Sequence, residues 1–68
     1  MKKEELLKFE GKNVHLCEKA DKIKDGVDFI DYFGICKVKD NTVEITQENN
    51  EVFNIEIDKV EWVAEVNK

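Results

Sequence analysis

Residues 27–38, VDFIDYFGICKV, carry apolar side chains on both faces of an extended strand, and this constrains the fold more than any other feature. Successive side chains of a strand point to opposite faces. Val27, Phe29, Phe33 and Ile35 therefore share one face, and Ile30, Tyr32, Cys36 and Val38 share the other. A strand covered on one side only would alternate apolar with polar residues. The glycine inside the run, Gly34, sits where a bulge or kink can turn a long strand sharply. With such a bend, Phe29 and Phe33 point inward before it and Cys36 or Val38 after it. Ile30 and Tyr32 are then left apolar and near the surface.

The flanking sequence supplies short partners for this strand. Residues 2–9 (KKEELLKF) read as a helix with Leu6, Leu7 and Phe9 on one side, ended by Gly11. A helix this short needs something to dock on. NVHLCEKA then alternates, with Val14 and Leu16 on one face and His15 and Cys17 on the other. DKIKDG reads as a polar loop closed by Asp25-Gly26. KDN and ENNE read as turns, the asparagines being able to take positive φ. Between and after these turns, TVEITQ, VFNIEI and VEWVAEV alternate with period two. Trp62 is expected to pack under the helix with Leu6, Leu7 and Phe9.

A chain of 68 residues has room for one domain, 1–68, with five strands across 13–66. Five short antiparallel strands cannot cover two sheets, and curling them together reduces exposed edges. The expected fold is mainly β: a five-stranded, strongly bent antiparallel small barrel with a short N-terminal α-helix.

The net charge is −5, and all eleven basic residues are lysines. Lysine is a point charge and lacks the planar fork with which arginine reads phosphate and guanine. Residues 41–68 hold Lys59 and Lys68 against seven acids, so this third repels a long polyanion. No apolar run approaches the roughly 20 residues of a membrane span. The start lacks the apolar core of a signal peptide, so a cytoplasmic location and two free thiols are expected.

The helix, the first strand FEGKNVHL, the long strand in G…DYFGICKVKDN, then TVEIT, VFNIEI and DKVEWVAEV together resemble the Sm-like (LSm, Hfq-like) branch of the SH3-type small β-barrels. The resemblance covers nearly the whole chain and rests on the glycine of the second strand and the Asp40-Asn41 turn after it. It implies a ring, built by pairing the fourth strand of one copy with the fifth of the next. It also implies RNA binding, for which Asp40-Asn41 match the family's Asp/Asn pair. The family's Arg-Gly or Lys-His type motif has no counterpart, its place being taken by IDKVEWV. Val52, Asn54 and Val63 are the expected residues of the assembling edges.

His15, Cys17 and Cys36 are soft metal ligands, but their spacing fits no zinc motif, and part-buried thiols with a surface histidine are the expected reading. His15 and Cys17, two apart, stand roughly 6–7 Å from one another on a strand, too far for a nucleophile–base hydrogen bond. Asp28 and Asp31 lie on opposite faces of a straight strand and make a poor acid–base pair. No catalytic residue, cofactor or bound metal is expected. Lys19, Lys22, Lys24, Lys37 and Lys39 form a candidate basic patch beside aromatics able to stack on bases. A binding surface around Asp28, Ile30, Tyr32, Lys37, Lys39 and Asn41 is the remaining candidate. Small acidic, lysine-rich chains of this kind are similar to phage or mobile-element products that block a host protein or sequester a ligand. The expected function is a non-catalytic, self-associating module for a protein or a small ligand, a nucleotide included, with an Sm/Hfq-like RNA-binding ring as the alternative.

Overall fold

The computed structural model describes residues 1–24 and 27–66, with the backbone alone over 20–24 and 27–28. Helix α1 spans Lys3–Leu7 and is followed by strands β1 (Asn13–Lys24), β2 (Val27–Val38), β3 (Thr42–Thr46) and β4 (Val52–Glu56). A 3-10 turn, η1 (Ile57–Lys59), leads into β5 (Val60–Glu65). The strands form one antiparallel sheet in the order β4-β3-β2-β1-β5.

β1 continues to Lys24, so the polar stretch read as a loop is largely strand. Its partner β2 is equally long, and pairing resumes at Lys24↔Val27 after a register shift, so strand pairing overrides the loop-like composition. The expected Asp25-Gly26 turn lies outside the described residues. At the other two hairpins the turn chemistry is as expected. Lys39 N–H donates to Thr42 O at 2.8 Å, and Asn50 takes φ 67° in the turn closed by its N–H to Gln47 O.

The sheet curls strongly without closing. Strands two apart in a flat sheet are separated by roughly 10 Å, yet the rings of Tyr32 on β2 and Phe53 on β4 lie 5.3 Å apart. The edge strands β4 and β5 are joined by the three residues of η1 alone, so at that end the two edges are drawn together. They do not pair: β4 bonds only to β3 and β5 only to β1. The expected mainly β fold of five antiparallel strands with a short leading helix is thus present, its small barrel being an open, curled sheet.

Leu6, Val14, Leu16, Cys36, Val43, Ile45, Ile55, Ile57 and Val60 form the core on the concave side. α1 docks there through Leu6, and Phe9 just after it packs against the core, as expected, but Leu7 is exposed, so its place on that face is corrected. In an α-helix neighbours in sequence point about 100° apart, and only one of the two leucines can face the sheet.

The long strand also differs from expectation. Register with β1 runs without a shift from Asn13↔Ile35 to Lys19↔Phe29, straight through Gly34. There is no bulge at Gly34, so the strand keeps its parity. Cys36 is fully buried and Tyr32 and Val38 pack against the core, while Phe29 and Phe33 are 46% and 54% exposed. The inward placing of the two phenylalanines is thus corrected. Gly34 itself faces inward. A Cβ there would collide with the Thr46 carbonyl oxygen, with the carbonyl carbon at 2.7 Å and Ile45 Cγ2 at 3.0 Å. The end of β3 thus packs against β2 in the space of a missing side chain.

Gly34→Ala is expected to cost more than about 2 kcal/mol or to abolish folding, because backbone must move to admit the methyl group. Gly11→Ala is expected to cost about 1 kcal/mol, from its left-handed φ of 77° with no atom near the new Cβ. Urea denaturation of the two variants checks this ordering.

Candidate functional site: an uncharged aromatic face

The parity of β2 divides the expected site residues. Ile30 and Tyr32 belong to the concave side, where Tyr32 is half-buried and its hydroxyl donates to Glu18 Oε1 at 3.0 Å. The expected outward Tyr32 is thereby corrected; of that pair only Ile30, 41% exposed, is open. Lys37 is exposed on the convex side, directly across from Glu44 of β3. Lys39 and Asn41 are exposed in the β2–β3 turn, where Asn41 borders a cleft of about 540 Å³ beside Lys2, Lys3 and Asp58. Ile30 and Lys39 are nine residues apart, roughly 30 Å along a strand. Ile30 and Tyr32 therefore do not converge with Lys37, Lys39 and Asn41 on one site. The side chains of Asp28, Lys22 and Lys24 lie outside the described residues.

The convex side assembles a different group. His15 of β1 lies opposite Phe33 of β2 and Ala64 of β5. Its ring stacks on Phe33 with centroids 4.1 Å apart and meets the edge of Trp62 at 4.7 Å. Nε2–H donates to Asp31 Oδ1 at 3.0 Å, which fixes the ring between the two aromatics. Trp62 is 42% exposed here, so its expected place under α1 is corrected. The cause is a register shift between Cys17↔Trp62 and Glu18↔Val60, which turns Val60 and Val63 inward and Trp62 outward. Ile35 continues the face toward a cleft of about 670 Å³ bordered by Asn13, Thr46, Gln47 and Val66. Composition signalled this group only weakly, through apolar residues on the second face of β2.

Cys17 lies on this side too, buried between its cross-strand neighbours Asp31 and Trp62. Burial pushes its thiol up, and Asp31 and Glu61 add to the shift. That is the reverse of what an attacking thiolate needs. Cys36 is in the core, where burial, with Glu10 beside it, pushes the thiol up to about 11. The register sets Cys17 opposite Asp31 and Cys36 beyond Ile35 on the other face, so the weak metal candidates His15, Cys17 and Cys36 do not converge. Among the described residues no three His, Cys, Asp or Glu side chains can hold a metal ion.

The edges are the other exposed binding feature. Ile57 N–H donates to Asn41 O, and the antiparallel alternation then turns the backbone groups of Val52, Asn54 and Glu56 toward the open side of β4. Val66 N–H donates to Asn13 O, which likewise leaves Val63 and Glu65 facing the open side of β5. No protein family, no curated protein and no solved structure matches the chain. Among the described residues no helix is long and apolar enough to cross a membrane.

Tyr32, the chain's one tyrosine, is pushed up from the usual 10 to about 12, first by burial and then by Glu18. Its raised folded value contributes stability that is complete below pH 10 and is lost as pH rises from 10 to about 12. An ultraviolet titration of tyrosinate should place the midpoint near the upper value, and Glu18→Gln should lower it. Neither change should alter the thiols, which should resist a disulfide reagent at neutral pH until the protein unfolds.

Proposed function

We propose that the protein is a non-catalytic interaction module that self-associates through its two edge strands and offers its remaining surface to a protein or small ligand. One observation carries this reading: the unpaired edges of the sheet are β4 and β5, short, free of proline and drawn toward one another by η1. Unpaired edges invite strand addition. With a different strand on each edge, pairing runs head to tail and closes into a ring where the rotation allows. Val52, Asn54 and Val63 lie along these edges with their backbone groups directed outward. The thiols held protonated speak for binding over nucleophilic catalysis. A phage or mobile-element protein that occupies a host component by such surfaces is consistent with this reading.

The alternative is an Sm/Hfq-like RNA-binding ring. It is favoured by the same pair of edges, the pairing that the Sm-like resemblance implies, and by the exposed Lys37, Lys39 and Asn41 at one end of β2. The Lys37–Glu44 apposition and the acidic last third weigh against it.

Asn54→Pro tests the edge reading, since it removes an N–H that serves only the open side of β4. Light scattering at high micromolar concentration should give a multimer for the wild type and a smaller species for the variant. A wild-type monomer would overturn the proposal. A short single-stranded RNA should not bind at physiological salt. Binding that falls steeply with salt and is lost in Lys37→Glu would instead establish the RNA ring.

A further inference from the structure

We propose that the convex aromatic face is a second self-association surface, on which a second copy of this chain packs about a two-fold axis near His15. The proposal rests on the reading that the protein self-associates, but it uses a surface separate from the edges.

The first ground is charge. In a chain that is 40% charged, a solvated sheet face should carry charges at most outward positions. Yet Asn13, His15, Phe33, Ile35, Trp62 and Ala64, adjacent across three strands, include no acid and no lysine. The nearest carboxylate on this face, that of Asp31, accepts from His15. Loss of charge with gain of aromatics marks the centre of protein interfaces. The chain carries −5, so two copies repel in most orientations; this face brings few carboxylates to the contact, Asp31, which accepts from its own His15, and Glu48 at the border of the cleft.

The second ground is shape. Trp62 projects on one side of His15, and the cleft bordered by Phe33, Ile35 and Val66 opens on the other. A two-fold axis between them sets Trp62 of each copy into the cleft of the other, the self-complementarity an isologous contact requires. The cleft of about 670 Å³ is wide enough to take an indole side chain.

The third ground is area. Phe33, Ile35 and Trp62 keep 54%, 46% and 42% of their surface exposed. Together they offer roughly 300 Å² of apolar surface per copy, and the uncharged neighbours bring the patch toward the low end of specific interfaces, about 600 Å² per partner. A patch of that size suits a weak dimer, and a 68-residue domain gains from the burial because its own core is small.

The test uses the full chain with two substitutions, alone and together. Asn54→Pro, with the edge route blocked, should still form a dimer by analytical ultracentrifugation. Emission of Trp62, the one tryptophan, should move to shorter wavelength as that dimer forms. Adding Phe33→Glu, at a site 54% exposed and outside the core, should weaken the dimer by at least about 30-fold and leave the circular dichroism spectrum unchanged. Trp62→Ala should weaken it by a similar factor. An Asn54→Pro chain that stays monomeric, with Trp62 emission independent of concentration, overturns this proposal and leaves the edge reading standing. A wild-type assembly unaffected by Asn54→Pro but dissolved by Phe33→Glu overturns the edge reading and supports this one.

Discussion

The close passage of the end of β3 over Gly34 is the contact on which the rest of the structure depends. With no side chain on the concave side at that position, the Thr46 backbone can settle against β2 and Ile45 can fill the space beside it. The sheet curls as a result. The curl brings Phe53 against Tyr32, folds the core residues of β3 and β4 onto those of β1, and lets a three-residue turn join the two edge strands. In a flat sheet a linker of that length could not reach from one edge to the other. The long hairpin of β1 and β2 provides the frame, and Gly34 is where β3 packs closest against it.

The same curl explains why the protein has two sets of unsatisfied surface. A sheet that stops short of closure leaves the outward backbone groups of β4 and β5 without strand partners. A sheet of five strands with one helix against its concave side has, among the described residues, no further element over its convex side. Small antiparallel proteins commonly fill such a side with charge. Here the centre of that side is His15, held by Asp31 and flanked by Phe33 and Trp62. The residues that looked reactive in the sequence have structural roles in this arrangement: Asp31 accepts from His15 and stands opposite Cys17, and neither thiol is set up for attack.

Local reading served well where one face alone was apolar. In TVEIT and VFNIEI the period-two alternation sets Val43 and Ile45, and Ile55 and Ile57, on one face, and these are the buried residues; the turns between the strands form where asparagine and aspartate mark them. It failed where both faces were apolar. For β2 the hydrophobic pattern fits either face equally well, and a bulge at Gly34 would have exchanged them halfway. Trp62 was misplaced for a related reason: the shift against β1 that turns it outward belongs to the pairing between strands and leaves no mark in VEWVAEV. Leu7 was assigned inward because both leucines fit a helical face, although α1 has a single side in contact with the sheet.

By itself the sequence determined a small, mainly β, antiparallel domain with a short leading helix, the position of its turns, and an acidic, arginine-free surface. Those features follow from local physics: period-two alternation, residues that tolerate turn geometry, and the count of charges. Tertiary structure alone decided which face of the long strand is interior, that the sheet remains open, and that His15, Phe33 and Trp62 meet. Each of these depends on register between strands distant in sequence and on one backbone packing against another. Neither leaves a local signature, and the interior of a two-faced strand is defined only by what else folds against it.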